Sequence, residues 1–184
     1  MKEVVLQNKM KRLLSLAVLT FFAFSCGQKE ERLFELLPST ETGVDFVNKM
    51  EESKEINLLN FAPIYNGAGV GVGDFNNDGL EDLFFTGNMV SNKLYLNKGD
   101  FQFEDITESA GLKTKVWSNG VSVVDINADG FLDLYIAVSG PDSTQRNNLL
   151  FINNGDLTFT EKAAEYGLDD AGYSTHSAFF DYDL

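Results

Sequence analysis

A nine-residue acidic pattern occurs twice in this chain and restricts what the chain can fold into. Residues 74 to 82 read D-x-N-x-D-G-x-x-D, and residues 125 to 133 repeat that pattern 51 positions later. Oxygen-bearing side chains at positions 1, 3 and 5 can converge on one point only where the backbone curls around them, and the glycine at position 6 permits that bend. The pattern therefore predicts two loops that bind a hard divalent cation.

In each loop we expect three carboxylates, one amide oxygen and the backbone carbonyl at position 7 to bind Ca²⁺, with water completing a shell of about six to eight oxygens. The first set is Asp74, Asn76, Asp78, the carbonyl of Leu80 and Asp82. The second set is Asp125, Asn127, Asp129, the carbonyl of Phe131 and Asp133.

An EF-hand is the obvious competing interpretation. Its loop ends in a bidentate glutamate at position 12 and lies between two helices. Position 12 is Phe85 in the first copy and Ile136 in the second, and the flanking residues read as strands. A hairpin turn with exposed acids would explain one copy, but two copies at matching places favour metal binding.

The repeat extends beyond the loops and predicts the fold class. Several residues between 97 and 112 recur 56 positions later, whereas the acidic loops recur after 51 positions. The difference of five residues indicates an insertion, which falls within the turn-forming residues 139 to 147. The first unit predicts strands over about 68 to 73, 82 to 87, 92 to 97 and 101 to 107. Four-stranded antiparallel units of this length are typical of β-propeller blades, and glycines at alternate positions of the first strand suit a crowded innermost strand.

A third unit begins at the end of the sequence. Residues 173 to 184 align on residues 117 to 128, so Asp181 and Asp183 are positions 1 and 3 of a third loop and further candidate metal ligands. We therefore expect an all-β repeat region over 61 to 184, with blades at 67 to 112 and 117 to 168. A propeller closes with about four to eight blades, so this is an incomplete propeller and we expect the chain to be a fragment.

The first 25 residues have the pattern of a signal peptide. Basic residues precede an apolar run from 13 to 24 that is too short to span a bilayer. Cys26, the only cysteine, follows at once and resembles the acylated cysteine of a bacterial lipobox, although Phe24 departs from the small residue usual there. An ordinary signal peptide is the alternative.

The residues after Cys26 indicate a destination. Residues 28 to 31 resemble a signal that sends lipoproteins to the outer face of the outer membrane, and a solvated charged linker is the alternative. We expect secretion across the inner membrane, display at the cell surface as an outer-membrane lipoprotein, and a tether and lead-in over 26 to 60.

Charge and histidine content exclude several other functions. The net charge of −14 repels phosphate backbones, so no nucleic-acid partner is expected. His176 is the only histidine, which gives no basis for a zinc site. Trp117 reads as packing within a blade, with sugar stacking as its alternative role.

The acidic loops, the segment N-K-L-Y-L-N-K-G from Asn92 and the segment F-E-D-I-T-E-S-A-G-L from Phe103 resemble FG-GAP repeats, also called VCBS repeats. These occur in integrin α-subunits, cartilage acidic proteins and bacterial surface lipoproteins that often end in an ASPIC/UnbV domain. The resemblance covers residues 67 to 184. It implies propellers of about seven blades, Ca²⁺ between the first two strands of a blade, and adhesion or ligand binding.

Two functions follow as expectations. The first is a non-catalytic, calcium-binding surface module that binds an extracellular protein or glycan and is held to the membrane through a lipid on Cys26. The alternative is an accessory or catalytic propeller of a polysaccharide-active protein. No acid pair separate from the loops favours catalysis.

Overall fold

The computed structural model describes residues 33 to 182. The chain divides into two compact units, residues 1 to 36 and 37 to 184, and only residues 33 to 36 of the first unit are described. The expected signal peptide, Cys26 and Asp183 lie outside the described residues. The fold below is that of the second unit.

Four antiparallel strands form the first sheet in the order β1-β2-β3-β4. Burial alternates along β1 and β2, and in β1 the glycines are buried while Val70 and Val72 are exposed. The four strands are shorter than the predicted strands but lie within them, and the acidic loop joins β1 to β2 as expected. The strands are β1 Val70–Gly73, β2 Asp82–Phe85, β3 Lys93–Asn97 and β4 Phe103–Asp105.

The second sheet repeats this arrangement in the order β5-β6-β7-β8. All six side chains of β6 are buried, so this strand is covered on both faces. The connection from β6 to β7 contains a short 3₁₀ helix, Ser143–Gln145, within the predicted insertion. The strands are β5 Ser118–Val124, β6 Asp133–Val138, β7 Leu149–Asn153 and β8 Phe159–Glu161.

One hydrophobic core joins the two sheets. Phe84 and Leu94 of the first sheet share it with Leu134 and Ile136 of the second, and all four are fully buried. The two antiparallel sheets therefore pack as neighbouring β-propeller blades, and the predicted all-β class is confirmed.

The innermost strands approach so closely that two positions need glycine. A Cβ at Gly69 would lie 2.8 Å from the carbonyl oxygen of Asn119, and one at Gly71 would lie 2.9 Å from Cγ2 of Val123. Both distances are shorter than real Cβ atoms show. Gly69, just before β1, and Gly71 within it thus set the spacing between the blades, as the sequence predicts.

The beginning of the third unit packs on the second blade in the same way. The amide of Gly120 donates to the carbonyl of Thr175 over 3.0 Å, and a Cβ at Gly120 would lie 2.5 Å from that oxygen. Gly120 aligns with Gly69, and Thr175 aligns with Asn119. The close backbone approach between successive units is therefore repeated, although the amide of Gly69 donates to Thr86 Oγ1, and it supports the assignment of a third unit.

A segment that we name the lead-in strap, residues 43 to 51, lies across the face of the first sheet opposite the second sheet. It follows a one-turn helix, Ser39–Thr42. Phe46 stacks on Phe85 with ring centroids 5.1 Å apart, and the Tyr95 hydroxyl donates to the Asp45 carboxylate over 2.7 Å. The sequence did not predict these contacts.

Candidate functional site

Both acidic loops have the same backbone conformation. Position 4 has a positive φ in each, 58° at Asn77 and 57° at Ala128. Position 6 also lies in the left-handed region, with φ of 87° at Gly79 and 90° at Gly130. Because glycine adopts this region without steric cost, Asp-Gly at positions 5 and 6 is what allows the chain to turn back on itself.

In the first loop the side chain of Asp74 accepts hydrogen bonds from the turning backbone. Its two oxygens accept from the amides of Asp78 over 3.1 Å and Gly79 over 2.7 Å. Asn76 accepts a second bond from the Asp78 amide over 3.2 Å, and Asp78 accepts from the Leu80 amide over 2.8 Å. Positions 1, 3 and 5 therefore direct oxygens toward the interior of the loop.

The second loop reproduces these bonds one for one. Asp125 accepts from the amides of Asp129 over 3.1 Å and Gly130 over 2.9 Å. Asn127 accepts from the Asp129 amide over 3.0 Å, and Asp129 accepts from the Phe131 amide over 2.9 Å. Two sequences that differ at positions 2, 4, 7 and 8 thus build the same loop, so the shared residues determine it.

The aspartate at position 9 is placed differently from the other acids. Asp82 and Asp133 are fully buried. The oxygens of Asp82 accept from the amides of Phe75 over 3.0 Å and Asn97 over 2.8 Å. Asp133 accepts the corresponding bonds from Ile126 and Asn153 over 3.0 and 2.8 Å. This carboxylate joins the loop to the third strand of its own blade.

Burial raises the pKa of Asp82 and of Asp133 above the usual aspartate range. The two amide donors to each group lower the pKa, but they do not outweigh burial and the charges at positions 1 and 5. A cation in the loop would favour the ionised form, because an opposite charge close by stabilises a carboxylate.

The donor chemistry of each loop fits Ca²⁺, since carboxylate, amide and carbonyl oxygens are the ligands of a hard cation. An ionised carboxylate has about four acceptor positions, so the bonds to backbone amides leave others free for a metal. Within residues 33 to 182, however, no group of three or more His, Cys, Asp or Glu side chains is arranged to hold a metal ion. Metal binding would require these side chains to turn toward a common point.

The remaining predicted ligands are distributed as follows. The Leu80 and Phe131 residues follow the left-handed glycines, at the point where each loop turns toward the second strand. Asp181 lies beyond the contact between the third unit and β5, and Asp183 is outside the described residues. The third loop is therefore not formed in the described part of the chain, and its two aspartates remain predictions.

Trp117 is buried rather than available for stacking on a sugar. It is 7% exposed, and its ring meets Phe61 edge to face with centroids 5.0 Å apart. This agrees with the packing role expected from the sequence. His176 lies beside Gly120, with its Nδ1 3.1 Å from where a Cβ would stand.

A buried asparagine in each blade was missed by the sequence reasoning. Asn92 and Asn148 accept hydrogen bonds from the amides of Gly87 over 2.9 Å and Val138 over 2.8 Å, where the second strand ends. Asn92 and Asn148 are 56 residues apart, which is the spacing of other matching residues in the two units. The repeat could therefore have identified them as equivalent positions.

Comparison with known families agrees with this geometry. Residues 74 to 136 and residues 125 to 184 each match the model of the FG-GAP-like repeat, and together they cover more than half of the chain. The chain belongs to the FG-GAP-like repeat family. Each match begins at an acidic loop, and the first one runs through the rest of its blade, β5 and the second acidic loop into β6.

A curated relative gives the same assignment. Cartilage acidic protein 1 of Xenopus tropicalis is 34% identical over 101 residues, which are 54% of this chain and 15% of that protein. The aligned part thus spans much less than two thirds of the relative's length. In the described residues of this FG-GAP repeat protein, no helix is long and apolar enough to cross a membrane.

Proposed function

We propose that this FG-GAP repeat chain is part of a Ca²⁺-binding module that binds an extracellular protein or glycan and does not catalyse a reaction. The observation that carries the proposal is the bond-for-bond identity of the two loops, in which Asp and Asn oxygens at positions 1, 3 and 5 accept from the same backbone amides. Asp and Asn often bond to the backbone of a turn in this way, but a turn alone would not require carboxylates at positions 1, 5 and 9 of both loops.

The same proposal gives Ca²⁺ a structural role. Burial, and to a lesser extent the charges of Asp78 and Asp74, raise the pKa of Asp82, so the ionised loop is disfavoured without a counter-charge. A bound cation would supply that counter-charge and stabilise the folded blade through linkage. Affinity of about 10⁻⁴ to 10⁻³ M would suit an extracellular module.

The location of the module is part of the proposal. A lipid on Cys26 would hold the chain at the outer membrane, with residues 28 to 31 directing it to the cell surface. This rests on sequence pattern alone and is tested separately from Ca²⁺ binding.

The test compares Asp78→Asn with Glu108→Gln, an exposed acid outside the loops, in the purified chain. Both changes remove one negative charge and preserve side-chain size. We expect Ca²⁺ at about 100 times its Kd to stabilise the wild type by about 2.7 kcal/mol for each occupied site. For this size of protein that raises the melting temperature by roughly 5 to 10 °C.

Asp78→Asn should weaken binding in isothermal titration calorimetry and reduce the rise in melting temperature, whereas Glu108→Gln should change neither. A wild-type melting curve that is the same with Ca²⁺ and with a chelator would refute the structural role. Calorimetry without heat of binding would refute the Ca²⁺ site as well.

A further inference from the structure

A cleft that we name the polar cleft lies on the first blade, where β3 begins and β4 ends. Its volume is about 550 Å³, which is within the range of about 300 to 1,000 Å³ found for small-ligand sites. Its lining does not include residues of the two acidic loops. The described residues that line it all have polar side chains, and they are Ser91, Asn92, Lys93, Asp105, Thr107, Glu108, Ser109 and Lys113.

The second blade shows that the fold does not require polar side chains at two of these positions. Lys93 and Thr107 are matched 56 positions later by Leu149 and Ala163. Leu149 packs against the hydrophobic core, and Ala163 is buried in a second apolar cluster. Because the second blade still forms the same four strands, the polar character of the cleft calls for another explanation than folding.

Paired charges leave the polar cleft without net charge. The ammonium of Lys93 forms an ion pair with the carboxylate of Asp105, and both side chains are about one third exposed. The ammonium of Lys113 lies 3.9 Å from the carboxylate of Glu108. Such a cleft does not attract a polyanion, and the net charge of −14 on the whole chain repels one.

Several side chains in the cleft retain hydrogen-bonding capacity. Lys113 lies too far from its acidic neighbour for a hydrogen bond, so its ammonium donors remain available. The Oγ of Ser91 accepts from the amide of Thr114 over 3.1 Å and keeps its own proton to donate. The Oγ of Ser109 donates to a backbone carbonyl over 3.0 Å and keeps its lone pairs. The lining therefore offers both donors and acceptors.

A buried amide at the cleft has an unused donor. Asn92 is fully buried, its Oδ1 accepts from the amide of Gly87, and its Nδ2 has no hydrogen-bond partner within residues 33 to 182. In the second blade, Nδ2 of the matching Asn148 donates to the hydroxyl of Tyr135 over 2.9 Å. Phe84 occupies the place of that tyrosine in the first blade, so a hydroxyl of a bound ligand would supply the acceptor instead.

We propose that the polar cleft binds a neutral glycan. Each sugar hydroxyl both donates and accepts hydrogen bonds, which matches a lining that offers both, and an uncharged ligand suits a cleft without net charge. The proposal rests on the proposed function, in which the partner is an extracellular protein or a glycan. It selects the glycan and gives its binding site.

The test begins with binding of the purified chain to immobilised sugars. The probes are neutral hexasaccharides of glucose, mannose, galactose and N-acetylglucosamine, with oligogalacturonate as the acidic probe. The affinity for the neutral sugar that binds most tightly is then measured by isothermal titration calorimetry. The Ca²⁺ titration described above is repeated on the same preparation, so that the two proposals are tested independently.

Two variants examine the cleft from different sides. Lys113→Met removes the ammonium donors and preserves the length of the side chain. Phe84→Tyr gives Asn92 a hydroxyl within the protein, so the amide no longer needs one from the sugar. Each should weaken binding about three- to tenfold, as expected for one net hydrogen bond. Lys98→Met is the matched control, because Lys98 is an exposed lysine of the same blade outside the cleft.

Binding of a neutral hexasaccharide that both variants weaken and the control does not would support the proposal. Since a tyrosine at position 84 should not destabilise the fold, weaker binding by that variant would not come from unfolding. An affinity that Lys113→Met does not alter would place the sugar elsewhere and overturn the assigned site. Binding of oligogalacturonate alone, or of no sugar, would overturn the proposal, while heat of Ca²⁺ binding in the same preparation would leave the proposed calcium-binding module standing.

Discussion

Two buried polar groups, on Asn92 of the first blade and on Ser118 of β5, lack the partners that their counterparts Asn148 and Ser174 have one repeat later. Asn92 Nδ2 and Ser118 Oγ have no hydrogen bond, although both residues are fully buried. In the second blade Asn148 Nδ2 donates to the hydroxyl of Tyr135 and to Oγ of Ser174, each over 2.9 Å. The first blade has Phe84 where the second has Tyr135, so it lacks the hydroxyl that completes this network.

The change Phe84→Tyr should therefore stabilise the protein. A buried polar group without a hydrogen-bond partner lowers the free energy of unfolding by about 1 to 3 kcal/mol. A new hydrogen bond to that group restores part of this stability. The added hydroxyl must also fit, and overpacking can offset the gain. Because Tyr135 fits the equivalent place, we expect a net gain of about 1 kcal/mol, which raises the melting temperature by roughly 2 to 4 °C.

The assay is denaturant unfolding of the wild type, Phe84→Tyr and the mirror variant Tyr135→Phe. The mirror variant should lose about 1 kcal/mol, because Asn148 loses one acceptor and the carbonyl of Leu168 loses the donor that the hydroxyl supplies over 3.1 Å. Equal destabilisation by both variants would refute the reasoning, since it would show that the two blades do not share one polar arrangement.

Two further predictions concern acid stability and the lipid anchor. Burial raises the pKa of Asp105, but the Lys93 ammonium and the donors of Thr107 outweigh it and hold the pKa below its usual value. Its stabilisation is present at neutral pH and is lost as pH falls through the folded-state pKa, so Asp105→Asn should cost about 0.5 kcal/mol at neutral pH and progressively less as the pH is lowered. Denaturant titrations that give the same difference at neutral and acidic pH would contradict this. For the anchor, cells fed labelled palmitate should label the wild type and not Cys26→Ser, and label on the variant would exclude acylation at that residue.

The strands and the conformation of the loops could be predicted because their determinants are local. Short runs rich in apolar residues mark β2, β3, β6 and β7, and Asp-Gly at positions 5 and 6 permits the left-handed turn seen at Gly79 and Gly130. The close approach of β1 to β5 was also predictable, since glycines at alternate positions of a strand leave room on one face for another backbone.

The features that were not predicted depend on partners distant in sequence. The motif identifies Asp82 only as one more metal ligand. Its buried carboxylate also accepts a hydrogen bond from the amide of Asn97 in β3, which is not part of the motif. Asn77 occupies a variable position of the motif, so its bond to Gly130 becomes evident only once the blades are packed. The lead-in strap has no repeat counterpart, and its contacts with Phe85 and Tyr95 had no sequence signal.

The lead-in strap determines how mechanical load would enter the first blade. It crosses the sheet from β4, where Gly43 lies against Phe103, past Tyr95 on β3 and Phe85 on β2 to the loop at Asn88. Tension applied on the N-terminal side of Gly43 would break these contacts one after another, as in peeling, rather than all together in shear. The strap would then detach from the first sheet before the pairing between the strands of that sheet is disrupted. Its detachment would delay the transfer of tension to the repeats.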